Sequence, residues 1–142
     1  MPYTLEYVTP DRLPAVWPEV LPLVQRCIDE AVDGEYDAKG VYNSIARQQA
    51  FAFVEAFNGV ATFIVVFHVH KLPGGKIADV SVICGQDLKG VSTRVWPVVV
   101  QWMKDNQIDR ATGAVSDAMY RVCKKLFGFK KTHNLIEFTA GE

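Results

Sequence analysis

The chain has 142 residues, 49% of them apolar and 22% charged, with 15 Lys and Arg against 16 Asp and Glu for a formal net charge of −1. That is the size and balance of one globular domain, and it excludes a disordered, collagen-like or coiled-coil chain. The near-zero charge supplies no overall field toward nucleic acid or an anionic membrane, so neither is an expected partner. The three cysteines, Cys27, Cys84 and Cys123, form no Cys-x-x-Cys pair. A disulfide framework or zinc knuckle is therefore not expected, and a reducing, cytoplasmic setting is. No basic-then-apolar signal opens the sequence, and its longest apolar run, Val60 to Phe67, is far short of the ~20 residues that span a bilayer.

Leu5 to Thr9 is β-prone and ends at Pro10-Asp11. Leu13, Val16, Trp17, Val20, Leu21, Val24, Ile28 and Ala31 then recur at three- and four-residue steps, one buried helical stripe. Pro14, Pro18 and Pro22 each remove an amide donor from that stretch. The expectation is an irregular first turn and a main helix beginning near Pro18 to Pro22, stopped by Asp33-Gly34. Asp37 to Gln49 reads as a second, less regular helix.

Phe51, Phe53, Glu55 and Phe57 alternate with Ala52, Val54 and Ala56 in a strand, and Asn58-Gly59 is the dipeptide of a type I′ turn. Val60 to Lys71 is the next strand, Leu72-Pro73-Gly74-Gly75 a second turn, and Lys76 to Cys84 the third strand of an antiparallel meander. Symmetric closure of the second hairpin pairs Phe67 with Val80, Val65 with Val82 and Phe63 with Cys84 on a wholly apolar face. The opposite face pairs His68 with Asp79, Val66 with Ser81 and Ile64 with Ile83, and the first hairpin adds Glu55 beside Thr62 on the same side.

Beyond the meander, Gly85 to Gly90 reads as a loop and Val91 to Gln107 as a helix kinked at Pro97. Arg110 to Val115 is a short strand. Ser116 or Asp117 caps a helix with Met119, Val122, Cys123 and Leu126 on one stripe, Gly128 ends it, and Thr132 to Thr139 is a closing strand. No repeat or linker divides the chain, so residues 1–142 are expected to form a single α/β domain.

This order of elements resembles the GNAT acyltransferase superfamily over nearly the whole chain. The segment Asp117 to Phe129 looks like that superfamily's last helix, with Asp117 at its usual Asn position and Gly128-Phe129 at its Leu-Gly-Phe ending. In size the chain is similar to short phage-encoded GNAT-like proteins. The resemblance implies an α/β (α+β) fold: a mixed, mostly antiparallel central sheet with helices on both faces. It also implies an acyl-CoA-dependent N-acyltransferase that moves an acetyl group from acetyl-CoA to a primary amine.

The family's cofactor loop, Gln/Arg-x-x-Gly-x-Gly/Ala, is matched by Asp87-Leu88-Lys89-Gly90-Val91-Ser92, with Asp87 where the pattern has a donor. The resemblance makes Ile83, Gly85, Lys89, Gly90, Val91, Ser92, Thr93 and Arg94 the expected cofactor-binding residues. Lys124 stands where the family commonly has a Tyr general acid, which leaves Tyr120, one turn earlier, as the substitute. His68 beside Asp79 is a competent general base, against the plainer reading of a cross-strand surface pair. His68-x-His70 with Asp79 has too few ligands for a closed metal site, so none is expected. Cys123 reads as a core thiol, and Lys124, Lys125, Lys130 and Lys131 as a solvated helix end or a surface for an acidic partner. The competing function is a catalytically inactive GNAT-fold structural or interaction protein, such as a virion component with a protein partner in a larger assembly.

Overall fold

In the computed structural model, which describes residues 2–30 and 37–132, five strands lie side by side in the order of the sequence. β1 (Tyr3–Val8), β2 (Ala50–Phe57), β3 (Val60–Leu72) and β4 (Gly75–Gly85) pair antiparallel, and β5 (Ile108–Thr112) joins β4 in parallel. α1 (Leu13–Asp29) and α2 (Ala38–Ala46) cover one face of the sheet over Val54, Ile64, Val66 and Val82. α3 (Leu88–Arg94), α4 (Trp96–Asp105) and α5 (Asp117–Val122), which continues into a π-helical turn at Cys123–Phe127, cover the other face over Phe53, Phe63, Val65, Phe67 and Ile83. The expected mixed sheet with helices on both faces is what forms. The expected stop at Asp33-Gly34 and the closing strand after Thr132 lie outside the described residues.

α1 is one continuous helix with Pro18 and Pro22 inside it, not a helix starting near them. Leu13, Val16, Val20 and Val24 are buried on its sheet side, whereas Pro14, Pro18 and Pro22, four apart, share the exposed side. The amides they lack and the carbonyls left over therefore face water, where solvation replaces the missing bonds. Pro97 acts more strongly than a kink. With no N–H for the carbonyl of Thr93, it starts a new helix, and the expected helix over Val91 to Gln107 is two helices broken at Val95.

The sheet register corrects the expected one in two places. Asn58 and Gly59 have φ of 50° and 82°, as a type I′ turn requires. Ala56 pairs with Ala61, but Glu55 then pairs with Phe63 and Thr62 is the extra residue. In the second hairpin Phe67 meets Val80 and His68 meets Asp79 as expected, but Val66 pairs with Val82 and Val65 with Ile83, leaving Ser81 as the extra residue. Both bulges fall on a hydroxyl side chain that bonds back to the partner strand. Thr62 Oγ1 donates to the Glu55 carbonyl and Ser81 Oγ to the Val66 carbonyl, each at 3.2 Å.

Each slip moves residues to the other face. Glu55 lies under α3 rather than beside His68, and Cys84 turns to α1, where Arg26 Nη2 donates to its sulfur at 3.1 Å. The division into one apolar and one polar face gives way to two buried apolar faces.

Candidate functional site

Two polar clusters flank the second half of β4. The first begins where β5 leaves it. β4 pairs with β5 only from Lys76 to Asp79, the last partners being Asp79 and Thr112, and from Val80 to Gly85 it is paired on its β3 side alone. The Ser81 bulge lies just past this parting, so the sheet splits and changes twist at one point. An extended ligand can line up along the strand edge that β5 has left.

His68, half-buried on β3, sits beside the bulge with its Nδ1 3.0 Å from Ser81 Oγ. With the Ser81 hydroxyl donating to the Val66 carbonyl at 3.2 Å, its oxygen accepts from His68 Nδ1–H and Nε2 carries the lone pair; with the hydroxyl donating to Nδ1, the tautomer is the reverse. Burial pushes the His68 pKa below the usual imidazole value; the Asp79 carboxylate, its cross-strand partner, works against that shift, and His70 adds to it. The imidazole is neutral near pH 7, the state a general base needs. Tyr120 lies half-buried on α5 and, among the described residues, shares no hydrogen bond with this cluster. The structure thus brings His68 and Asp79 together as the register arithmetic expects. It adds Ser81, whose sequence signal was a lone hydroxyl in the aliphatic run Val80 to Ile83.

The second cluster closes the far end of β4. Asp87 is the N-cap of α3 in the left-handed region, φ 51° and ψ 53°, and its Oδ1 accepts from the Gly90 amide at 3.2 Å. Its Oδ2 lies 3.2 Å from Arg94 Nη2. Arg94 grips Glu55 with two bonds of 2.9 Å, from Nε to Oε2 and from Nη2 to Oε1, and stacks with Cζ 3.7 Å from the Tyr3 ring centroid. Glu55 is only 2% exposed, so removing its cation would strand a buried charge at a cost of about 3 kcal/mol or more. The bond to Glu55, more than any other contact, holds Arg94 protonated well above its ordinary range.

The other expected cofactor residues are arranged around this lock. A Cβ on Gly90 would overlap Asp87 Oδ2 and Arg94 Nη1, so any other residue there would make these two side-chain ends shift apart. Ser92 and Thr93 turn their hydroxyls back to the carbonyls of Lys89 and Gly90. Val91 and Ile83 are buried in the core under α3 and α4. Lys89 is exposed, and Gly85 lies against the backbone of Thr62 and Phe63. The free edge of β4 suits an acyl-CoA's extended arm, but the cap of α3 does not suit its diphosphate, because a carboxylate of the chain is already there.

A cleft of about 660 Å³ opens between α4, β5 and residues 127–132, lined by Trp96, Met103, Ile108, Phe127 and Phe129, and it contains none of His68, Asp79 or Ser81. Among the described residues, no three His, Cys, Asp or Glu side chains are placed to hold a metal ion, and no helix is long and apolar enough to cross a membrane. Cys123 is buried, and burial pushes its thiol pKa up.

No family model and no curated protein matches the chain. Solved structures do match. A predicted acetyltransferase from Clostridium acetobutylicum, determined with acetyl-CoA, aligns over 96% of both chains with a TM-score of 0.70 and 14% identity. An aminoglycoside acetyltransferase from an uncultured soil metagenomic sample, in complex with sisomicin, aligns over 97% of this chain and 96% of its own with a TM-score of 0.74 and 9% identity. A ribosomal-protein-alanine N-acetyltransferase from Brucella melitensis biovar Abortus 2308 aligns over 96% of both chains with a TM-score of 0.67 and 13% identity. Likeness at these identities is likeness of fold.

Proposed function

From the premise that the chain has the GNAT acetyltransferase fold, we propose that it is an acyltransferase that moves an acetyl group from a coenzyme A-type thioester to a primary amine. One observation carries the reading: the parting of β5 from β4 at Asp79, the Ser81 bulge two residues on and the half-buried His68 across from them lie together. The thioester arm lies along the β4 edge between Val80 and Gly85, flanked by Ile83, and its carbonyl is the electrophile. His68 Nε2 takes the proton from the attacking amine. Asp79 stabilises the imidazolium that forms, and Ser81 keeps Nδ1 protonated throughout. Tyr120 on α5 gives a proton to the departing thiolate.

Thiol release from acetyl-CoA, followed against a panel of primary amines, tests this. His68→Gln should lower kcat by about 10²-fold or more while leaving the fold intact. If the wild-type protein acetylates no amine and binds no acetyl-CoA in calorimetry at millimolar ligand, the acyltransferase reading fails. The reading left standing would be a non-catalytic GNAT-fold interaction protein with a protein partner, cytoplasmic or in a virion, which the filled α3 cap favours.

A further inference from the structure

We infer that Asp87 is a built-in anion occupying the place where a coenzyme A diphosphate would meet α3, so that the donor is recognised by its pantetheine arm and not by its diphosphate. The inference deepens the acyltransferase reading and rests on it for the identity of the donor. The filled cap itself does not depend on that reading.

Apart from the exposed Lys89, the side chains around this cap that could greet a diphosphate already have acceptors. The Gly90 amide bonds Asp87 Oδ1. Arg94 directs Nε and Nη2 to Glu55 and Nη2 also to Asp87, and its Nη1 lies over Gly90, where not even a Cβ would fit. The Ser92 and Thr93 hydroxyls are bonded within α3. One guanidinium between two carboxylates leaves the cluster with a net negative charge, and a diphosphate would add to it.

Swinging Asp87 aside does not free the cation. Arg94 would still be held through two bonds by Glu55, which is buried and cannot be left without its partner. Asp87 is thus a specificity residue that removes the nucleotide end of the donor from the binding energy and leaves the β4 edge to supply it.

The test titrates the full chain with acetyl-CoA, acetyl-pantetheine and inorganic pyrophosphate, by calorimetry and by the amide NMR signals of Gly90, Val91 and Ser92. Expected are affinities for the two thioesters within about threefold of one another and no pyrophosphate-dependent shift at Gly90. Acetyl-CoA tighter by about tenfold or more, together with a saturable Gly90 shift on adding pyrophosphate, overturns the inference. In Asp87→Asn, which keeps a cap acceptor and removes the charge, the affinity ratio should move toward acetyl-CoA; an unchanged ratio overturns the role given to Asp87. If neither thioester binds, the acyltransferase reading falls by itself and the pyrophosphate titration still decides: a silent Gly90 upholds the filled cap, a shifted one rejects it.

Discussion

The two ends of the second half of β4 treat polar groups in opposite ways. At Ser81 the strand bulges toward a half-buried histidine whose Nδ1 lies 3.0 Å from the Ser81 hydroxyl. Past the strand's end, Asp87, Arg94 and the buried Glu55 form an ion cluster with the cap amide, open to solvent on its Asp87 side. A neutral base in a partly dry place is ready to change its protonation state, whereas a paired ion cluster resists any change. The contrast teaches that similarity of fold over nearly the whole chain leaves the polar groups free to differ: one end of this half-strand carries a half-buried histidine, the other a carboxylate–guanidinium cluster.

The strongest way to break this contrast is to open the cluster. Arg94→Met leaves Glu55 buried and unpaired, and urea denaturation should show a loss of about 3 kcal/mol or more. A loss under about 1 kcal/mol would mean that Glu55 is not held as an ion. Gly90→Ala should follow, costing about 1–3 kcal/mol because its Cβ separates Asp87 from Arg94. At the other end, Ser81→Ala should cost about 1 kcal/mol for the lost bond to the Val66 carbonyl. In the proposed acyl transfer it should also alter the pH profile, by removing the hydroxyl that contacts His68 Nδ1. A profile identical to wild type would reduce Ser81 to a bulge residue.

The smallest effect is the pH dependence of stability. Because the folded pKa of His68 lies below the ordinary imidazole value, the unfolded chain binds more protons in the interval between the two. This contribution is therefore complete above an unfolded pKa of about 6.5 and is lost as pH falls toward the folded value. Unfolding curves of wild type and His68→Gln should diverge only in that window.

Much of the fold was legible because periodicity reports it directly. The stripe from Leu13 to Val24, the alternation around Phe53 and the Asn58-Gly59 turn each predict an element that forms. The bulges were not legible, since a symmetric hairpin count has no term for an extra residue, and the slips at Thr62 and Ser81 sent Glu55 and Cys84 to unexpected faces. The prolines of α1 misled because the damage a proline does depends on whether its side of the helix meets water, which the three-dimensional packing decides. His68 opposite Asp79 could be found by counting, as the two lie before the slip. The pairing of Glu55 with Arg94 spans 39 residues and required the sheet and α3 to be in place before it could be seen.

The agreement between strand order and chain order has a consequence for how the molecule is assembled. β2, β3 and β4 follow one another through two tight hairpins and hold local partners, whereas β1 reaches β2 only across α1 and α2. β5 is different: paired in parallel, it must wait for α3 and α4 to cross over. Until they arrive, the aromatic floor of Phe53, Phe63 and Phe67 has no roof. A chain arrested there would hold His68 opposite Asp79 while presenting a sticky aromatic surface, so the stage most exposed to aggregation precedes the docking of α4 and the addition of β5.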